Sequence, residues 1–155
     1  MDTQAYQNAK EALKAKDYKA AERAFKIALD SIDEQDEHYH SVLSYYGLSQ
    51  VLTSNSNGLL LCRDAASNEV SDGDVFLNLA CAELESKSRK RALDAVRHGV
   101  KIDVDNERLN RAYAKLDCRR KCCFSFLSRD HKINRFFGRL FRRPCPEASA
   151  HSLLY

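Results

Sequence analysis

The sequence predicts an all-α protein built from short antiparallel helix hairpins, and three observations carry this. Proline occurs only at Pro144 and Pro146, so nothing upstream interrupts a helix through a missing amide. Apolar residues recur at spacings of three and four, and no long run alternates Val, Ile, Thr or aromatics as a half-buried strand does. Clusters of Asp, Asn, Ser and Gly punctuate the chain at 54–58, 71–74 and 103–106, each one following a stretch of helical pattern. A chain of 155 residues suits one domain and buries roughly 70% of its unfolded surface without staples.

Residues 3–16 and 18–32 are rich in Ala, Lys, Leu and Glu and read as the first two helices. In the second, Ala21, Ala24, Phe25, Ala28, Leu29 and Ile32 form one apolar stripe, and Asp17 is placed to cap its start. The tight link between them makes a hairpin. Residues 40–53 form an apolar helix, 59–70 resume after the SNSNG turn, and 75–86 and 89–102 form a third pair. A further helix over roughly 106–121 starts at the capping residues Asp105 and Asn106 and carries Leu109, Ala112, Tyr113 and Leu116 on one face. Arg108, Arg111 and Lys115 on its other side are expected to face water.

Placing Ala9, Gly47 and Ala80 in register gives offsets of 38 and 33 residues, close to a repeat period of about 34. A second small residue twelve positions on is met by Ala21 and Ala92 but not by Leu59. The bulky position after it is met by Phe25 and Val96 but not by Arg63, and the next small position by Ala28, Ala66 and Gly99. In these residues the chain resembles the tetratricopeptide repeat family over about residues 3–106, with the second repeat degenerate and the usual repeat-end proline missing. The resemblance implies an α-α superhelix of three hairpins closed by a covering helix, and a concave groove lined by first-helix side chains that takes a peptide or protein. By register the groove residues are Tyr6 and Lys10, then Tyr45 and Leu48, then Asn78 and Cys81. Asp74 stands where carboxylate-clamping members of the family need a cation, so that clamp is not expected.

Chemistry is sparse. No phosphate-binding Gly loop, nucleophile elbow or metalloprotease helix is present. His38 and His40 follow an acidic stretch with Asp33, Asp36 and Glu37, and a solvated loop explains them better than a metal site. Cys118, Cys122 and Cys123, with His131 and Cys145 downstream, bring thiols together, but their spacing matches no recurring zinc motif. Cys62 and Cys81 read as small packing residues. The start of the chain lacks a leader's apolar core and no run approaches the ~18 apolar residues of a span, so reduced thiols in the cytoplasm are expected. The expectation is a protein that is not an enzyme and carries no metal or cofactor.

The charge is unevenly placed. Residues 1–118 carry sixteen Lys and Arg against twenty Asp and Glu, and 119–143 carry nine against one. Three divisions follow: a helical repeat domain over 1–121, a basic amphipathic segment over 122–143, and a disordered stretch over 144–155. On a helical projection Ile133, Phe136, Phe137, Leu140 and Phe141 share an arc of about 140°, opposite Lys132, Arg135, Arg139, Arg142 and Arg143. A helix this short needs a surface to bury that face. Its own repeats, an anionic membrane, and a nucleic acid or acidic protein are the three surfaces available. Nucleic acid fits worst, because the aromatics do not alternate with Arg as stacking platforms do. Residues 126–140 are also similar to the basic tail that follows a few repeats in some small bacterial tetratricopeptide proteins. Taken together, the sequence points to an adaptor that binds a peptide or protein in its groove, with the tail as a second contact.

Overall fold

Three helix pairs form because each first helix is stopped by the same device. A computed structural model describes residues 3–117, 132, 136 and 148–154. Among these residues the chain is all-helical. The pairs are α1 (Thr3–Lys14) with α2 (Tyr18–Asp30), α3 (Tyr39–Leu52) with α4 (Asn57–Asn68), and α5 (Gly73–Glu85) with α6 (Arg89–Ile102). They are followed by α7 (Glu107–Leu116) and a short α8 (Ala150–Leu154). After each first helix one non-glycine residue turns left-handed: Lys16 at φ 65°, Ser54 at 69° and Lys87 at 58°. The amide of the residue after it then reaches back across the helix end, from Asp17 to the Ala12 carbonyl at 3.0 Å, Asn55 to Gln50 at 2.8 Å and Ser88 to Glu83 at 2.8 Å. This satisfies carbonyls that the helix end leaves open. The three left-handed residues lie seven places after Ala9, Gly47 and Ala80, so the register read from small residues recurs in the turns.

Each second helix packs on its own partner and on the first helix of the next pair: α2 on α3, α4 on α5, α6 on α7. The helices α3, α5 and α7 also touch in order. The expected stripe of α2 is inside, with Ala21, Phe25 and Ala28 fully buried, and Asp17 caps it by accepting the Ala20 amide at 3.0 Å. Asn106 caps α7 through the Arg108 and Leu109 amides, both at 3.1 Å. The buried face of α7 is Leu109, Ala112 and Leu116, as its spacing predicts.

The degenerate second pair has a simple explanation. Its contact residues sit one place earlier than the register predicts: Gly58, Cys62 and Ala65 are buried where Leu59, Arg63 and Ala66 were expected. α4 opens on tight bonds, Gly58 to Asn55 and Leu59 to Ser56, both 3.3 Å. The contact residue follows the left-handed cap by four places here, Ser54 to Gly58, against five in the other pairs, Lys16 to Ala21 and Lys87 to Ala92, and Gly58 therefore lies on α3. There a Cβ on Gly58 meets the Gly47 carbonyl oxygen at 2.2 Å. Arg63, rotated out of the core, reaches Glu83 of α5 through Nη2 at 2.7 Å and Nε at 2.8 Å.

Two further expectations change. Arg108 does not simply face water: its guanidinium donates to Asp74 at 2.6 Å. Within the stretch 144–155, expected to be disordered, residues 148–154 include α8, which packs against α5 and α7 with Ala150, Leu153 and Leu154 buried. Spaced three and four apart, these side chains make one apolar face, and α5 and α7 supply the surface for it.

Candidate functional site

The candidate site lies on the side of the first helices, where α1, α3, α5, α7 and α8 meet. Its base is an aromatic cluster. Phe25 and Tyr45 stack with centroids 5.3 Å apart, and Tyr6 meets both edge-on at 6.0 and 6.1 Å. The Lys10 ammonium lies over the Tyr6 and Tyr45 rings, 5.1 and 5.8 Å from their centroids, where the ring quadrupole attracts a cation. The Tyr45 hydroxyl donates to Asp74 at 3.0 Å. Burial, reinforced by the neighbouring Asp74 carboxylate, pushes this phenol far above its ordinary range, so Tyr45 stays a proton donor. Asp74 also accepts from Arg108 and, at 3.3 Å, from Asn106. The acid that seemed to spoil an anion-binding face is thus held by three donors.

Beside this cluster opens a cleft of about 450 Å³ lined by Lys10, Leu13, Lys14, Tyr45, Arg108 and Leu154. Its walls are apolar and its charged groups are cations. Lys10 and Lys14 have no ion-pair partner among the described residues. A site of this composition suits an apolar segment carrying negative charge.

The six groove residues predicted from register divide into two groups. Tyr6 and Lys10 are half-buried and remain at the surface of the site. Tyr45, Leu48, Asn78 and Cys81 are buried, the last three at 0% exposure. Over α5 the cover is α8, and the Cys81 thiol points to the Ala150 carbonyl at 3.7 Å. Burial pushes that thiol up to about 12 and pushes Cys62 higher still, so neither is a reactive thiolate at neutral pH. Asn78 donates to Ser44 at 2.9 Å, while its carbonyl oxygen has no partner among the described residues. Of the residues that line the cleft, register reasoning missed Leu13, Lys14, Arg108 and Leu154. Lys14 lies one helical turn after Lys10, and that spacing is a legible signal. Arg108 and Leu154 come from elements outside the three pairs and have none.

Elsewhere the acidic loop before α3 is built as a turn. Asp33 accepts the Gln35 amide and Asp36 the His38 amide, both at 2.9 Å, and His38 lies 3.4 Å from Glu37. Among the described residues no three His, Cys, Asp or Glu side chains gather as metal ligands, and no helix is long and apolar enough to cross a membrane. Cys118, Cys122, Cys123, Cys145 and His131 lie outside the described residues, as do Ile133, Phe137, Leu140, Phe141, Arg135, Arg139 and Arg142 of the basic segment. Lys132 and Phe136 are helical and exposed, Phe136 by 63%. A scan against protein-family models finds no match, and a search of curated proteins finds no significant relative.

Proposed function

We propose that the chain is a tetratricopeptide-like adaptor of the cytoplasm that binds a peptide or protein segment on the face of its first helices and performs no chemistry of its own. The observation that supports this reading is the cleft on the face of the first helices, lined by Lys10, Leu13, Lys14, Tyr45, Arg108 and Leu154, where apolar walls meet lysines unpaired among the described residues. The tetratricopeptide part is supported by the left-handed caps at offsets of 38 and 33 residues and by second helices that each pack on the next first helix. The aromatic and cationic cleft beside α8 supplies the recognition surface.

The test is affinity capture with the full chain and with a Lys10→Glu, Lys14→Glu variant. Loss of the captured partner in the variant supports the cleft as its site, and an unchanged partner set rejects it. A second contact through the basic segment is favoured by the exposure of Phe136 on its apolar side. Sedimentation with anionic vesicles checks it: salt-sensitive binding weakened by Phe136→Asp is expected for a membrane contact.

A further inference from the structure

We infer that the end of the helical stack formed by the hairpin turns is a contact surface for an anionic lipid bilayer, on which the stack stands end-on. This extends the membrane contact proposed above for the basic segment to a surface that the helix pairs themselves carry, and it does not involve the cleft.

The first argument is that charge is sorted between the two ends of the stack. Contacts fix which loops share an end. The Thr53 hydroxyl donates to Glu22 at 2.9 Å, Arg63 donates to Glu83 at 2.7 Å, and Arg89 donates to the Lys115 and Leu116 carbonyls. The turns after α1, α3 and α5 and the last turn of α7 therefore lie together. At the opposite end Asp74 accepts from Asn106 and Arg108, and Leu29 and Tyr39 pack on Ala65 and Val75, which gathers the links between successive pairs. Those links, residues 30–37, 69–74 and 103–107, hold eleven Asp and Glu and no Lys or Arg. The turn segments 14–19 and 87–91 hold seven Lys and Arg against Asp17 alone, and the second turn, TSNSN at 53–57, is uncharged. Lys14, Lys16, Lys19, Lys87 and Lys90 are exposed and have no ion-pair partner among the described residues. Helix dipoles do not account for this sorting. Both ends carry helix starts and helix stops, and Arg89, Lys90 and Arg91 crowd the first turn of α6, where the dipole disfavours cations. Asp30 in the last turn of α2 is misplaced in the same sense.

The second argument is shape. A left-handed residue follows each first helix seven places after Ala9, Gly47 and Ala80, so the three turns stop at a common level. Helices pack about 8–10 Å apart, which spreads the cations of the first and third turns over roughly 20 Å. Among the described residues no exposed aromatic stands at this end for a base to stack on, and no helix projects from it to enter a groove. A level field of cations matches a plane of lipid phosphates, whose surface potential attracts each nearby Lys or Arg and repels the acidic end.

The experiment sediments the full chain with vesicles of phosphatidylcholine mixed with phosphatidylglycerol, and of phosphatidylcholine alone. Binding is expected to the mixed vesicles only, and to fall as salt is raised. A variant carrying Lys16→Asn, Lys19→Gln, Lys87→Asn and Lys90→Gln, with Asn at the two left-handed positions that tolerate it, is expected to lose roughly fivefold per lysine, more than about a hundredfold in all. A control with Arg23→Gln, Lys26→Gln, Lys101→Gln and Arg111→Gln sheds the same charge elsewhere and loses far less. Lysine acetylation of the unsubstituted chain, mapped by mass spectrometry, gives a readout that no variant's folding affects. Lys16, Lys19, Lys87 and Lys90 are shielded on the mixed vesicles, while Lys26 and Lys101 react as they do in solution.

Equal losses in the variant and the control overturn the proposal, because net charge alone then drives binding. Four turn lysines that stay reactive on the vesicles overturn it too, as does tighter binding of a short DNA duplex through the same lysines, which makes nucleic acid the partner. If Phe136→Asp abolishes vesicle binding and the four-lysine variant does not weaken it, the basic segment keeps its membrane contact and the end-on surface fails. If the four-lysine variant weakens binding and Phe136→Asp leaves it unchanged, the end-on surface stands and the segment's contact fails. An unsubstituted chain that does not bind the mixed vesicles overturns both.

Discussion

At Gly58 a single methyl group decides how close α3 and α4 can come, because the atom it would meet is a backbone oxygen that cannot rotate away. Overpacking of this kind costs about 3 kcal/mol, and replacing a helical glycine by alanine returns about 1 kcal/mol of propensity. The Gly58→Ala chain is therefore expected to lose about 2 kcal/mol in urea denaturation. The opposite change is expected at the left-handed caps. Lys16, Ser54 and Lys87 are exposed and strained. The left-handed region costs a side-chain-bearing residue about 1–2 kcal/mol, more than the chain entropy of about 0.5–1 kcal/mol that glycine adds to the unfolded state. Substituting all three by glycine is expected to raise stability by about 2 kcal/mol, measured by the same titration. Repeat register was legible at Ala9, Gly47 and Ala80 because close helix contacts demand small residues. The caps were not legible, since Lys and Ser carry no signature of left-handed backbone.

Between elements, two carboxylates hold the second pair to the third. One Glu69 oxygen accepts the amides of Val70, Ser71 and Asp72 at 2.9, 2.8 and 3.0 Å, and the Ser71 hydroxyl at 3.0 Å, ordering the turn into α5. Burial works to raise this carboxyl, and the backbone bonds from Asp72 and Ser71 outweigh it, so its pKa lies below the ordinary glutamate value. A depressed folded pKa contributes stability that is fully present above the unfolded value, about 4.3, and is lost as pH falls through the folded one. The unsubstituted chain should exceed Glu69→Gln by a constant margin near neutrality, and thermal melts should show that margin closing below about pH 4. Glu83, 3% exposed, is held by Arg63, with Arg91 at 3.9 Å. Arg63→Ala leaves a buried carboxylate and is expected to cost about 2–3 kcal/mol, with part of the loss recovered in the Arg63→Ala, Glu83→Met double variant. From the sequence Arg63 was a misfit in the core. The contact face of α4 runs through Gly58, Cys62 and Ala65, one place earlier, so Arg63 lies beside it and pairs with Glu83.

Across the described residues α3 and α5 are the interior elements, α3 between the first and third pairs and α5 between the second pair and the helices α7 and α8, both buried on most sides. In a stack of this kind each unit depends on its neighbours, and the ends open first. Native-state hydrogen exchange should find the slowest amides in α3 and α5 and faster ones in α1 and α8. Undocking α8 by Leu153→Asp, Leu154→Asp should speed exchange in α5 and α7 while leaving α2 unchanged, because α8 packs on the former two. Uniform acceleration throughout the described helices would instead show that the three pairs and α8, whose Ala150, Leu153 and Leu154 share their buried core, open as one unit.

Sequence alone determined the helices, their pairing and the small residues between them. These properties follow from local periodicity, capping and turn chemistry, which act over a few residues and leave their trace in order along the chain. Only the tertiary structure decided which predicted groove residues stay open. Leu48, Asn78 and Cys81 lie on the predicted face yet are buried, Asp74 is tied up by Tyr45, Asn106 and Arg108, and residues 150–154 cover part of the surface. The physical reason is that occupancy of a surface depends on which distant segment has an apolar face to bury there. Ala150, Leu153 and Leu154 carry such a face, and no short-range pattern says where it will go.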